Sequence, residues 1–181
     1  MLHIRLIALG NLKEAYWRGA VAEYEKRLGA YARIEIVELK ECRLPEGPCA
    51  TEIEAALERE ADAILAAIPP RSFAVALCVE GKQLTSQELA AQLDAVMQQS
   101  GSLCLIIGSS HGLSPHVKAT ADLRLSVSKL TFPHQMMRVL LLETVYRSLS
   151  ILHAQNITND QKNGRASALP FFKCRSTFDK I

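Results

Sequence analysis

Three short stretches of this chain hold the residue types that could bind a ligand or move a proton. Gly81 follows an apolar run ending at Val79. Gly108-Ser109-Ser110-His111-Gly112 follows a second apolar run, and a third loop runs after Val127 through Thr131, followed closely by His134 and Arg138. Glycine lets backbone amides approach a flat ligand without an intervening Cβ. Histidine is the side chain whose ordinary titration range lies nearest neutrality, so His111 and His134 are the available proton acceptors. Arg138 suits a phosphate or a developing anion. Each has a plain structural alternative: a tight turn for the glycines, a hydrogen bond for the histidines, a salt bridge for Arg138. The 108–112 stretch also fits G-x-S-x-G, with Asp122 and His134 following in hydrolase order, so a serine hydrolase using Ser110 is a rival reading. Against it, the helix-start signal falls late, at Ser114-Pro115, and no glycine-rich oxyanion loop lies upstream.

The elements that must position these residues follow from periodicity. Strands are expected at 2–9, 33–39, 72–79, 103–107 and 123–127, the second nearer a sheet edge because Glu35 and Glu38 interrupt its apolar positions. Helices are expected at 14–30, at 51–68 before Pro69-Pro70, from the Thr85-x-x-Glu88 capping box to about 99, from Ser114 to about 120, and at 133–152. Alternating strands and helices, with unbroken apolar strands in the second half, predict an α/β protein with a mostly parallel sheet covered on both faces. In such a sheet ligands bind beyond the strand C-termini, where the loops after Val79, Ile107 and Val127 meet. The last helix is apolar on most sides, with Arg138, Glu143 and Arg147 in a narrow polar stripe, and this predicts a second subunit packed against it.

Composition narrows the class further. The 181 residues are 49% hydrophobic and 22% charged, the proportions of one globular domain. Net charge is +2, but residues 1–154 sum to −1 and the remaining 27 to +3. No basic stripe on the body signals bulk nucleic-acid binding, so such a role must rest on a specific site. Five cysteines without a C-x-x-C pair predict reduced thiols in a cytoplasmic protein. The apolar 2–9 run lacks a basic lead-in and a cleavage site, and no stretch is long enough to span a bilayer, so no membrane association is expected.

Taken together, Gly-Ser-Ser-His-Gly-Leu-Ser-Pro at 108–115 and Leu-Ser-Val-Ser-Lys-Leu-Thr-Phe-Pro-His-Gln-Met-Met-Arg-Val-Leu-Leu-Leu-Glu at 125–143 resemble the ribosomal RNA large subunit methyltransferase H family. The likeness extends through Leu-Gly-Asn-Leu-Lys-Glu-Ala-Tyr-Trp at 9–17, Glu-Tyr-Glu-Lys-Arg-Leu at 23–28 and Val-Glu-Gly-Lys at 79–82, and so covers roughly residues 1–152. It implies the SPOUT class, with a C-terminal trefoil knot and a homodimer. It further implies methyl transfer from S-adenosylmethionine to N3 of a pseudouridine in large-subunit (23S) ribosomal RNA, within the subunit or assembled ribosome, without a metal. Family cofactor positions fall on Leu77, Gly108, Val127, Ser128, Lys129, Leu130, Thr131 and Phe132, the same three loops. His134 and Arg138 are the catalytic candidates beside them.

Two departures from the family stand out. Its usual pair of glycines is here Gly108-Ser109, which requires a non-positive φ at Ser109. Its short Tyr-His-basic terminus is replaced by a longer one. Residues 1–153 are therefore expected to form the methyltransferase domain, and 154–181 a disordered basic tail with a polar linker at 155–168. The alternative function is a cofactor-binding homologue impaired in catalysis.

Overall fold

A computed structural model of the chain describes residues 1–162. The elements run β1 (Leu2–Leu9), α1 (Ala15–Leu28), β2 (Ala32–Leu39), α2 (Ala50–Ala67), β3 (Phe73–Lys82), α3 (Ser86–Gln99), β4 (Ser102–Ile107), α4 (Pro115–Thr120), β5 (Leu123–Leu125) and α5 (His134–Lys162). Among the described residues the five strands form one parallel sheet in the order β2-β1-β4-β3-β5. The expected α/β architecture, a parallel sheet flanked by helices, is present. β2 lies at an edge, as its glutamates predicted.

The two-residue strand period sorts the core into two layers. Leu2, Ile4, Leu6 and Ala8 of β1 join Leu103, Leu105 and Ile107 of β4 beneath α1, α3 and α5. Ile7 and Leu9 join Cys104 and Ile106 beneath α2 and α4. Local chemistry ends the helices where the sequence indicates. Thr85 Oγ1 accepts from Glu88 N at 3.2 Å while Glu88 Oε2 accepts from Thr85 N at 2.7 Å. Ser114 caps α4 with Pro115 in its first turn, and α2 stops before Pro69-Pro70.

α5 departs from expectation in two ways. It continues through Lys162, across the expected boundary at 153/154 and into the stretch read as a polar linker. This stretch is polar, so no apolar period announces a helix there. Once the buried turns have nucleated a helix, each added residue costs little, and neither Gly nor Pro intervenes before Gly164. The expectations for 163–181 lie outside the described residues. Secondly, much of α5 is covered by its own chain: Leu141, Leu142, Val145, Leu149 and Leu152 are buried in the layer shared with α1 and α3. Met136, Val139, Leu140 and Ile151 stay half-buried on this helix.

Cys42, Cys49, Cys78 and Cys104 are all free thiols. Burial in the middle of the sheet pushes the Cys104 thiol up to about 12, against a small opposing pull from Arg5. Exposed Cys49 should therefore be alkylated at pH 8.5 while Cys104 stays unlabelled until the chain unfolds. Because the Cys104 value is raised above that of an unfolded thiol, its contribution is intact below roughly pH 8.5 and is lost as pH climbs toward 12. Peptide mapping after a short iodoacetamide pulse checks this; equal labelling of both thiols in folded protein would contradict it.

Candidate active site

The C-terminal ends of β3, β4 and β5 open onto a cavity of about 360 Å³. Its walls come from the three loops singled out above and from the first turn of α5. Leu77, Gly108, Val127, Ser128, Leu130, Thr131 and Phe132 all line it; Lys129 does not. Two hydrogen bonds hold the third loop: Ser126 Oγ donates to Ser128 O at 2.9 Å, and Leu130 N donates to Ser128 Oγ at 3.0 Å. Leu130 is 70% exposed, an apolar side chain standing free at the cavity mouth. Across the opening Lys118 Nζ donates to Glu80 Oε1 at 2.6 Å, and this ammonium holds the Glu80 carboxyl below the usual range. Apolar walls with loop backbone groups at the edges suit a flat heterocycle with polar margins.

Both strand-end glycines are required, although the neighbour that requires them is the protein's own backbone. A Cβ on Gly81 would lie 2.6 Å from the Leu125 carbonyl carbon and 2.8 Å from Ser126 N, so β3 and β5 could not approach. On Gly108 it would lie 2.1 Å from Gly112 O. There the chain folds back: Gly112 N donates to Ser109 O at 3.0 Å, and Gly112 itself has φ +90°. Ser109 meets its backbone requirement, since among the described residues the only non-glycine with positive φ is Arg71. Its hydroxyl is also used, donating to Glu60 Oε2 at 3.1 Å. Glu60, 3% exposed, accepts from Cys42 N at 2.8 Å through its other oxygen. The serine at this position thus anchors the turn to α2.

The hydrolase constellation does not assemble. Ser110 Oγ lies 3.2 Å from His111 Nδ1 and 3.4 Å from Glu41 Oε1. Asp122 instead accepts from Ala74 N at 2.7 Å, at the opposite end of β5 from the cavity. α4 begins only at Pro115, so Ser110 sits in a loop and not on a strand-to-helix elbow.

The two catalytic candidates part company. His134 lines the cavity, with Nε2 3.9 Å from where a Cβ on Gly10 would sit. Arg138, one turn later, points into the protein and is 1% exposed. Its Nη1 donates to Glu38 Oε1 at 2.5 Å, and its Nη2 donates to the carbonyls of Leu9 at 2.9 Å and Gly10 at 2.5 Å. Only Nε lacks a partner. Arg138 therefore ties the start of α5 to the C-terminal ends of β1 and β2, and its salt bridge lies within one chain.

Sequence reasoning missed three carboxylates around the site: Glu38, Glu41 and Glu60. A signal existed for Glu60, which falls on the buried stripe of α2 with Ala56, Ala61 and Ile64. For Glu38 and Glu41 there was none, because a glutamate at a strand edge or in a loop reads as solvated. Among the described residues no group of three or more acidic, cysteine or histidine side chains could hold a metal, and no helix is long and apolar enough to cross a membrane.

Comparison with known proteins gives two kinds of likeness. A family model described as "Predicted SPOUT methyltransferase" matches residues 2–156. Among solved structures, a probable methyltransferase from Bordetella pertussis Tohama I superposes with a TM-score of 0.52 at 14% identity, covering 82% of this chain and 96% of that one. TrmJ from Z. mobilis ZM4 gives a TM-score of 0.49 at 15% identity, covering 94% of this chain and 84% of that one.

Proposed function

Because the chain belongs to the SPOUT methyltransferase family, we propose that it methylates RNA, moving a methyl group from S-adenosylmethionine to N3 of a pseudouridine in large-subunit ribosomal RNA. One observation carries the cofactor assignment: seven of the eight positions implied by the family resemblance line a single cavity at the strand C-termini. The residues present fit the group. Leu77, Leu130 and Phe132 offer apolar surface to an adenine, and the 127–132 backbone offers its edge donors and acceptors. When bound, the cofactor supplies an electrophilic methyl on a sulfonium, activated without a metal. The tasks left to the chain are positioning and handling a proton. His134, at the cavity wall beside α5, is placed to accept or orient that proton. Arg138 acts at one remove, holding α5 and the Gly10 segment in register.

A trefoil knot and a homodimer belong to this reading. The half-buried Met136, Val139 and Leu140 supply an apolar surface suited to a second copy of α5. A near-neutral body is compatible with a ribosomal substrate, since shape and a few phosphate contacts can place one base.

A second reading is favoured by the continuation of α5 through Lys162, where the resemblance implies a short Tyr-His terminus. Here the chain binds cofactor but transfers the methyl group poorly. Calorimetric titration with S-adenosylmethionine, followed by methyl transfer to ribosomes from a strain lacking the modification, separates the readings. Binding with transfer is expected. Binding without transfer, rescued when 154–181 is replaced by a short Tyr-His-Lys ending, establishes the impaired homologue. Failure to bind cofactor would overturn both.

A further inference from the structure

The 109–111 turn has a second side. Behind it lies another cavity, of about 600 Å³, between the 40–48 loop and the start of α2. Ser109, Ser110 and His111 line both cavities, so the two adjoin along this one turn. The second cavity has an apolar floor from Ile53, Ala56 and Leu57, and a rim carrying Lys13, Lys40 and Arg43. None of these three cations takes part in an ion pair among the described residues. Of the two carboxylates at the site, Glu60 is occupied by Cys42 N and Ser109 Oγ. Glu41 stands where the two cavities adjoin. Its Oε2 is 3.2 Å from the point a Gly10 Cβ would occupy, and His134 Nε2 approaches the same point from the cofactor cavity at 3.9 Å. A basic rim, an apolar floor and a polar edge facing the donor cavity together form a nucleotide-shaped environment, and the volume lies within the roughly 300–1,000 Å³ usual for such sites.

We propose that this second cavity receives the acceptor nucleotide of a single-stranded RNA segment. The base lies on the α2 floor, its flanking phosphates meet Lys40 and Arg43, and its polar edge faces the junction where Glu41 and His134 converge. The proposal rests on the methyltransferase reading and adds the place and chemistry of the acceptor.

The test uses the full chain saturated with S-adenosylhomocysteine and a single-stranded RNA oligonucleotide carrying 4-thiouridine. Photocrosslinks mapped by mass spectrometry should fall within residues 40–57 and 109–111. A Lys40→Glu/Arg43→Glu double variant should bind this oligonucleotide about tenfold more weakly, with its salt slope reduced by about 1.4. Its affinity for S-adenosylmethionine, which reports that the fold and the neighbouring cavity survive, should stay within about twofold, since neither residue lines the donor cavity. Crosslinks confined to other surfaces overturn the proposal. So does unchanged RNA affinity in a variant that binds the cofactor normally. If the unmodified chain binds no cofactor, it is the methyltransferase reading that fails.

Discussion

A Gly108→Ala variant is expected to lose about 3 kcal/mol of stability and most of its affinity for S-adenosylmethionine. The added methyl would sit 2.1 Å from Gly112 O and 2.5 Å from its carbonyl carbon, closer than non-bonded atoms approach. The obstacle is backbone and cannot swing away like a side-chain tip. Gly112 is held by its own hydrogen bond to Ser109 O, and Ser109 is held in turn by Glu60. Relief therefore means opening the 108–112 turn, which is a wall of the cofactor cavity. For a chain of this size the loss corresponds to a fall of roughly 10 °C in Tm. Gly19→Ala is the matched control: nothing lies within 4 Å of its Cβ position, it sits inside α1, and alanine there should stabilise by about 0.5–1 kcal/mol. Thermal unfolding and cofactor titration of both variants check the pair. A Gly108→Ala protein that melts with the unmodified chain and binds cofactor normally would mean that the turn yields to the added methyl.

Arg138→Met is expected to cost about 3 kcal/mol, toward the lower end of what breaking a buried ion pair costs. The change removes the cation beside the Glu38 carboxylate, which keeps only the Leu12 N donor at 3.3 Å, and leaves the Leu9 and Gly10 carbonyls without this donor. The lower end applies because the Glu38 side chain is 35% exposed and can rehydrate. Arg138→Lys should rescue little, since one ammonium cannot reproduce the guanidinium fork that reaches three acceptors. Glu38→Gln should be milder, at about 1 kcal/mol, because an acceptor oxygen remains. Non-additivity in the double variant would show that the two residues act as one unit. The decisive comparison is urea unfolding against turnover. As a strut, Arg138 loses stability in every variant, with activity falling only as cofactor binding loosens. If Arg138→Lys kept full stability and cofactor affinity yet lost methyl transfer, Arg138 would instead be touching substrate.

The two variants probe parts of the protein that were unequally legible beforehand. Gly108 could be singled out from its place after an apolar strand, but the reason for its importance could not. Sequence suggested room for a ligand; the structure puts Gly112 O in that room. Arg138 could be singled out as polar on an apolar helix, but its partner lies 100 residues away in β2. Ser109 looked like a departure to be tolerated, and Glu60, 49 residues earlier, is what fits it to the turn.

By itself the sequence determined which segments are strands and helices, because burial on one or both faces writes a period of two, a period of 3.6, or an unbroken apolar run. It also determined which loops share an edge, since parallel strands send all their C-termini the same way. The convergence of the loops around Leu77, Gly108 and Phe132 follows from that alone. Strand order, the reach of α5 beyond its buried turns, and the pairing of Glu38, Glu41 and Glu60 were decided only by tertiary structure. A buried carboxylate is satisfied by whatever donor the closed sheet brings within about 3 Å, and no local pattern records a partner that distant in the chain.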